Sequence, residues 1–369
     1  MMSTSYGKNI NITVYGGSHD AEIGVIAKGL PAGLAFSEKE LSALMQRRAP
    51  GRNAYSTPRK EADEPIFLSG VTFEDDACVL NGEEIHAVIR NTNQRSSDYT
   101  ATAFVPRPSH ADFAARMKYG EAVDLRGGGH FSGRLTAPLC IIGGICLQEL
   151  AARGIHIAAH IDSIGGISDD RFDAVSVSEE EFALLKERED FPVLNAQSGD
   201  EMRTLIEEVR AEGDSVGGVI ECAAIGLPAG LGEHMFDGVE NRLSQILFGI
   251  PAVKGVEFGN GFACATLRGS QNNDAFAIDG GRIVTKTNRA GGILGGMTSG
   301  MPLVFRVAIK PTPSIAMEQE SVDMISMQPT RLAIKGRHDP CIVPRAIPVV
   351  EAVTAIALLD LLLDENTTS

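Results

Sequence analysis

The chain has 369 residues, 43% of them hydrophobic, with 40 glycines, 17 prolines and a formal charge of −15 at pH 7. So acidic a protein lacks the basic face needed to coat DNA, RNA or anionic lipid, and a mean hydropathy of +0.01 argues against disorder. The negative charge is concentrated: residues 169–214 hold 15 acidic and 5 basic side chains, −10 of the total, which reads as solvated helical faces.

In chain order, β-branched runs predict strands at 9–15 and Glu22–Lys28, then a Gly-Leu-Pro-Ala-Gly-Leu turn at 29–34. A helix should begin after Ser37, where Ser-Glu-Lys-Glu forms a capping box and Leu41, Leu44 and Met45 share one face; Arg47 and Arg48 close it. Asn81-Gly82 between Cys78–Leu80 and 85–89 predicts a hairpin turn. A second helix begins after Thr136, with Pro138 in its first turn and Gly154 beyond its end. Its segment LCIIGGICLQEL is apolar almost all round and should be central. Residues 155–161 predict a returning strand. Within the acidic stretch, Ser178 with Glu181 and Ser198 with Glu201 make two further capping boxes. Strands follow near 218–224, 262–267 and 302–309, and a last apolar helix spans about 348–363.

Cys78, Cys140, Cys146, Cys222, Cys264 and Cys341 have no zinc-like spacing and mostly apolar neighbours, so buried reduced thiols and no metal are expected. The opening MMSTSYGKNINITVY lacks the apolar core of a signal peptide. The longest uncharged apolar run, 135–147, falls short of the roughly 20 residues a bilayer span needs. A cytoplasmic location without membrane contact is expected. One echo stands out: GVIAKGLPAGL at 24–34 against GVIECAAIGLPAGL at 218–231. Either a common turn type arises twice, or the chain holds two related halves with the acidic helices inserted between them.

Four segments place histidine or arginine among glycines at strand-to-turn positions. In Tyr15-Gly16-Gly17-Ser18-His19-Asp20, small residues admit a ligand to the backbone and His19 can move a proton near neutral pH. The second runs from Arg107, His110 and Asp112 through Lys118 to Asp124-Leu-Arg126-Gly-Gly-Gly129-His130-Phe131-Ser132-Gly133-Arg134. Three glycines before a helix start form a candidate anion cradle, without the order of a nucleotide P-loop or a dinucleotide fingerprint. The third, Asn288–Gly300 with Arg289, leads into Lys310-Pro311-Thr312-Pro313-Ser314; the fourth is Gly336-Arg337-His338-Asp339-Pro340 with Arg345 nearby.

The order and spacing of these segments resemble the chorismate synthase family over nearly the whole chain. The matching stretches are RRAPG at 47–51, LSGV at 68–71, NQRSSDY at 93–99, RPSHADF at 107–113, KYG at 118–120, DSVGGVIE at 214–221, GLPAGLGE at 226–233, PAVKGVEFGNGF at 251–262, LRGSQN at 267–272, AGGILGGMTSG at 290–300 and GRHDPCIVPRAIPVVEA at 336–352. The resemblance implies one α+β domain over 1–369, a βαβ sandwich of two pseudo-related halves with central helices and an acidic helical insertion at about 169–214. It implies a homotetramer using reduced FMN for anti-1,4-elimination of phosphate from 5-enolpyruvylshikimate 3-phosphate, giving chorismate. No clear fingerprint for a nicotinamide (NADP) site appears, so an external flavin reductase is a possible partner.

By the same resemblance, His19 would protonate the departing phosphate and His110 would act as acid toward reduced flavin. Asp339 would help move the flavin N5 proton, with Ser18 and Ser132 as relays. Flavin contacts would come from His130, Phe131, Ser132, Pro251, Ala252, Gly295, Lys310, Pro311, Thr312, Pro313, Ser314 and Arg337. Substrate anions would meet Arg48, Arg134, Arg337 and Arg345. Several positions depart from the family's usual pattern. Gly17 and Asp20 flank Ser18-His19 in place of Glu and Gly, and His130-Phe131 replaces Arg-Ser. Leu135 replaces Glu, and Ala54 stands where an arginine is common, with Arg52 two residues away. Two other readings stay open: a diverged flavin-binding paralogue for another anionic phosphorylated metabolite, and a non-catalytic assembly protein.

Overall fold

Helices that are apolar on every side must be enclosed, and the architecture follows from two of them. The computed structural model describes residues 3–51, 63–74, 77–91, 104–334 and 339–365. Thr136–Ala152 and Val343–Glu365 pack against each other at its centre, with Glu38–Arg48 and Val239–Leu247 alongside. A Cβ at Gly143 would lie 2.6 Å from the Ala352 backbone, so glycine there lets the two central helices approach closely. By length and composition both qualify to cross a bilayer, as segments Gly133–Ala152 and Val343–Asp364. That corrects the expectation of no such stretch, because the apolar character continues through isolated polar residues such as Gln148. Their most apolar windows are 67% and 94% buried inside the protein, the placement of core helices.

A five-stranded antiparallel sheet lies against Thr136–Ala152, in the order Ser3–Tyr6, Asn11–Gly16, Glu22–Lys28, Ile85–Arg90, Ile66–Ser69. A second lies against the C-terminal helix, in the order Ile167–Ser168, His156–Ile164, Gly218–Ile225, Leu303–Ile309, Val253–Phe258. This is the expected α+β sheet–helix–sheet sandwich. The echoed turns occupy corresponding places, each leaving the middle strand of its sheet: Gly29 and Gly226 have φ of 87° and 84°, Gly33 and Gly230 of 82° and 95°. Each half therefore turns out of its central strand in the same way.

The second sheet is buried on both faces. Ile161, Cys222 and Phe305 point into the central core, while Ala158, Ala223 and Val304 pack under Phe172, Val177 and Leu185 of the acidic stretch. That stretch carries two helices, Glu179–Glu187 and Ala196–Ala211. The first has its full Ser178–Glu181 capping box. The second does not start at Ser198: Asn195 caps it by accepting from the Gln197 N–H, and Ser198 lies inside the first turn.

Other expectations also needed correction. Asn81-Gly82 is not a hairpin, because Cys78–Leu80 pairs with Ala35–Phe36 and Val71–Phe73, whereas Ile85–Arg90 joins the first sheet. Asn81 Oδ1 accepts the Glu83 N–H at 2.9 Å, a local turn that carries the chain from one sheet to another. The predicted strand at 262–267 is a 3-10 segment, Gly261–Thr266, with no strand partner. The last helix starts at Val343, ahead of the proline taken as its start, and Pro348 sits inside it. Five cysteines are buried and free, but Cys264 is exposed.

Candidate active site

The Gly-rich loop takes its shape from its sequence. Gly127, Gly128 and Gly129 all have positive φ, at 58°, 91° and 54°. A Cβ on Gly127 would sit 2.7 Å from the His19 ring and 2.8 Å from Ser18 Oγ, and one on Gly129 would lie 2.0 Å from the Asp124 carbonyl. Only glycine allows the loop to close over the Gly17-Ser18-His19 turn. The Ser18 N–H donates to the Gly129 carbonyl at 3.0 Å. The His130 ring bonds the Gly16 carbonyl through Nδ1 and Thr4 Oγ1 through Nε2, both at 2.8 Å.

A second loop is locked by its own ends. Arg107 forks onto Asp112, with Nε and Nη2 each 2.7 Å from a carboxylate oxygen and its N–H at 3.0 Å. Burial alone would raise the Asp112 carboxyl, but Arg107 outweighs it and holds it low. At the loop's apex Ser109 takes a positive φ of 59° and His110 Nε2 meets Ser314 Oγ at 2.6 Å. Lys310 Nζ donates to the Ser109 carbonyl at 2.6 Å. Burial, and then the charge of Lys254, lower its pKa from the usual lysine value.

These loops enclose a cavity of about 360 Å³, within the size range of small-molecule sites. Of the residues expected at a site, it brings together Arg48, His110, Phe131, Ser132, Arg134, Pro251, Ala252, Lys310, Thr312, Pro313, Ser314, Asp339 and Arg345. Ser18 and His19 are not among its lining, but they pack on the far side of Gly127, whose backbone is. His130 also stays outside, turned toward Gly16 and Thr4. Pro311 is exposed and Gly295 sits at the exposed turn joining Ile293–Leu294 to Met297–Thr298. Arg337 lies outside the described residues, as do Arg52 and Ala54.

One wall is cationic. Arg48 is 4% and Arg134 6% exposed, and both donate to Asp63, Arg48 at 2.6 Å. Arg48 also donates to Thr136 Oγ1 at 3.2 Å and to the Gly133 carbonyl at 2.9 Å. Arg345 pairs with Asp339 at 2.6 Å and donates to the Arg48 carbonyl at 3.1 Å. Burial lowers its pKa from the usual arginine value despite Asp339, and Arg48 adds to the lowering. Asp63 escaped the sequence reading. It lies 15 residues from Arg48, in the charged run Arg59-Lys60-Glu61-Ala62-Asp63-Glu64, where nothing local sets it apart from its acidic neighbours.

The family model described as chorismate synthase matches residues 10–363. The chain belongs to the chorismate synthase family. It is 46% identical to the chorismate synthase of Lancefieldella parvula, over 98% of this chain and 97% of that relative. It is 45% identical to that of Dehalococcoides mccartyi, again over 98% and 97%. A solved structure titled "Crystal Structure of Chorismate Synthase" superposes with a TM-score of 0.75 at 29% identity, covering 98% of this chain and 93% of that one. Chorismate synthases are lyases, and this chain is an enzyme of that class.

Proposed function

We propose that the cavity carries out the anti-1,4-elimination of phosphate from 5-enolpyruvylshikimate 3-phosphate, giving chorismate, with bound reduced FMN. The observation that carries this reading is the convergence of Arg48, Arg134, Arg345 and Lys310 with His110 and Ser132 around one cavity. A substrate with one phosphate and two carboxylates needs fixed cations, and donors already in place stabilise the leaving dianion without reorganising.

The lining also suits a flavin. Thr312 Oγ1 is buried without a hydrogen-bond partner among the described residues, an unmet polar group on the wall. Phe131, Pro251, Ile250 and Pro313 add apolar surface. Ala252 holds a positive φ of 78°, a strained backbone of the kind that gathers at ligand sites. Ser132, Thr312, Ser314 and Lys310 would bond the ring edge, and Phe131, Pro251, Ala252 and Pro313 would lie against it. The chemistry a reduced flavin supplies is transient electron donation to the ring losing phosphate, with no net redox change.

The protein's own groups have distinct tasks. Arg48 and Arg134 bind the phosphate, and Arg345 a carboxylate. His110, whose Nε2 meets Ser314 Oγ at 2.6 Å, serves as a proton donor, and Asp339, paired with Arg345, accepts one. His19 and Ser18 deliver a proton to the phosphate across Gly127, where the absence of a Cβ leaves them next to the cavity wall. His130 anchors the loop by its bonds to Gly16 and Thr4 instead of touching the flavin, a change from the role expected by resemblance. Exposed Phe236, Phe262, Phe276, Ile278 and Ile283 form apolar surface suited to a homotetramer. Five buried free thiols suit a reducing cytoplasm.

The test is anaerobic phosphate release from this substrate with reduced FMN. Phosphate should appear with the unmodified protein, and His110→Ala should slow it by about 10²-fold or more. No release by the unmodified protein would refute the reading.

A further inference from the structure

Two guanidinium groups in adjacent buried positions repel each other and, left alone, would turn apart or recruit separate counter-ions. Here Asp63 bridges the two with one carboxylate: Oδ2 takes Arg48 Nη1 at 2.6 Å and Oδ1 takes Arg134 Nη1. The Asp63 side chain is fully buried and does not line the cavity, whereas both arginines do. The carboxylate therefore backs the arginines and does not fill the space in front of them. Both arginines line the cavity, so the bridged pair presents its guanidinium groups there. Asp63 holds a positive φ of 52°, an unfavourable conformation for a non-glycine residue that its contacts must sustain.

We infer that Asp63 is a positioning residue that yokes Arg48 and Arg134 into a paired fork for a phosphate dianion. The inference rests on the assignment of those arginines to the leaving phosphate, and it extends that assignment to a residue that touches no ligand. Thr136 Oγ1 and the Gly133 carbonyl fix the remaining edge of Arg48, and Asn91 Oδ1 takes Arg134 Nε at 3.1 Å. Each guanidinium is thus held on several sides. Burial would raise the Asp63 carboxyl, but the two arginines outweigh it and hold it below the usual aspartate range, so the yoke stays ionised at neutral pH.

Charge and geometry predict opposite signs for one substitution, which makes the inference testable. If Asp63 merely offsets positive charge, Asp63→Asn should tighten anion binding. If it yokes the arginines, Asp63→Asn should weaken it. The probe is inorganic phosphate, titrated calorimetrically into the unmodified protein and its variants at pH 7, with melting temperature recorded in parallel. Phosphate should bind the unmodified protein and lose its site in Arg134→Ala. It should bind Asp63→Asn about tenfold more weakly, about 1.4 kcal/mol, and Asp63→Glu about threefold more weakly. With substrate, the same variants should raise KM more than they lower kcat. Equal or tighter phosphate binding by Asp63→Asn overturns the inference, as does failure of the unmodified protein to bind phosphate or binding that survives Arg134→Ala. Should Asp63→Asn not fold, Asp63→Glu decides, and binding as tight as in the unmodified protein is the overturning result. Weakened phosphate binding in a protein that releases no phosphate from substrate would refute the proposed reaction and leave the yoke standing.

Discussion

Two buried ionic clusters of opposite composition sit in this fold, and their difference separates a binding site from a clamp. At the cavity, Asp63 bridges Arg48 and Arg134, and both arginines line the open space. Under the acidic insertion, His160 lies between two carboxylates, Glu221 at 2.9 Å and Asp169 at 3.4 Å, an excess of one anion. There the surplus is satisfied internally. Glu221 accepts the Phe172 N–H, Asp169 accepts the Leu194 and Asn195 N–H groups, and the Phe172 ring stands edge-on to His160. Glu221 also faces Arg306 across the next strand pairing, and Arg306 pairs with Glu257 at 2.6 Å. A buried cluster whose carboxylates are met by backbone N–H groups from within holds elements together; one whose arginines line a cavity is placed to take a ligand.

The largest expected effect comes from emptying the clamp. His160→Ala leaves two buried carboxylates without their shared cation and should cost about 3 kcal/mol of stability, read from urea unfolding midpoints. Phosphate release by the folded fraction should stay within about twofold of the unmodified protein, because no clamp residue lines the cavity. A comparable loss of catalysis per folded molecule would erase the distinction between the two clusters.

A pH titration sharpens the contrast next, because the clusters fail at opposite ends. Burial would lower the His160 pKa, but Asp169 and Glu221 outweigh it and raise it from 6.5 to about 9. A raised folded value means stability that is fully present below about 6.5 and is lost as pH climbs through about 9. For Asp63 the folded value is lowered, so its contribution is present above the usual aspartate value and disappears as acid protonates it. Between pH 6.5 and 9 the amides of Phe172, Leu194 and Asn195 should therefore lose hydrogen-exchange protection before those near Arg48. An exchange pattern that loosened first around Arg48 would reverse the assignment.

What the sequence revealed and what it hid follow the same division. Caps, turns and helix faces arise from residues a few positions apart, so Ser37, Ser178, Leu41 and the buried helix after Thr136 were legible. The Gly-rich loops were legible as well, since a run such as Gly127–Gly129 has little use except close backbone approach. Asp63 and His160 were not. Asp63 bonds Arg48 and Arg134, 15 and 71 residues away, and His160 bonds Glu221, 61 residues away; an acid in a charged run or a histidine on a strand looks the same whether solvated or yoked. The false hairpin at Asn81-Gly82 failed for a related reason, since the turn was real but the strands beside it found other neighbours.

The smallest effect tests which residue starts the helix beside the clamp. Sequence spacing favoured Ser198 with Glu201, whereas Asn195 makes the cap, accepting the Gln197 N–H at 3.0 Å. The Asn195 backbone N–H already serves Asp169 at 2.9 Å, so one residue both opens the helix and feeds the clamp, while Ser198 lies one residue deeper than the first helical donors. Asn195→Ala should cost about 1 kcal/mol and make exchange at Gln197 faster. Its backbone bond to Asp169 survives the substitution, so the alkaline midpoint should stay where it was. Ser198→Ala should be neutral or slightly stabilising, because alanine is the better residue inside a helix. If Ser198→Ala proved the costlier of the two, the helix would start three residues later than the structure has it. Asp169 would then be held to His160 without help from the helix end, and the clamp would be a property of the sheet alone.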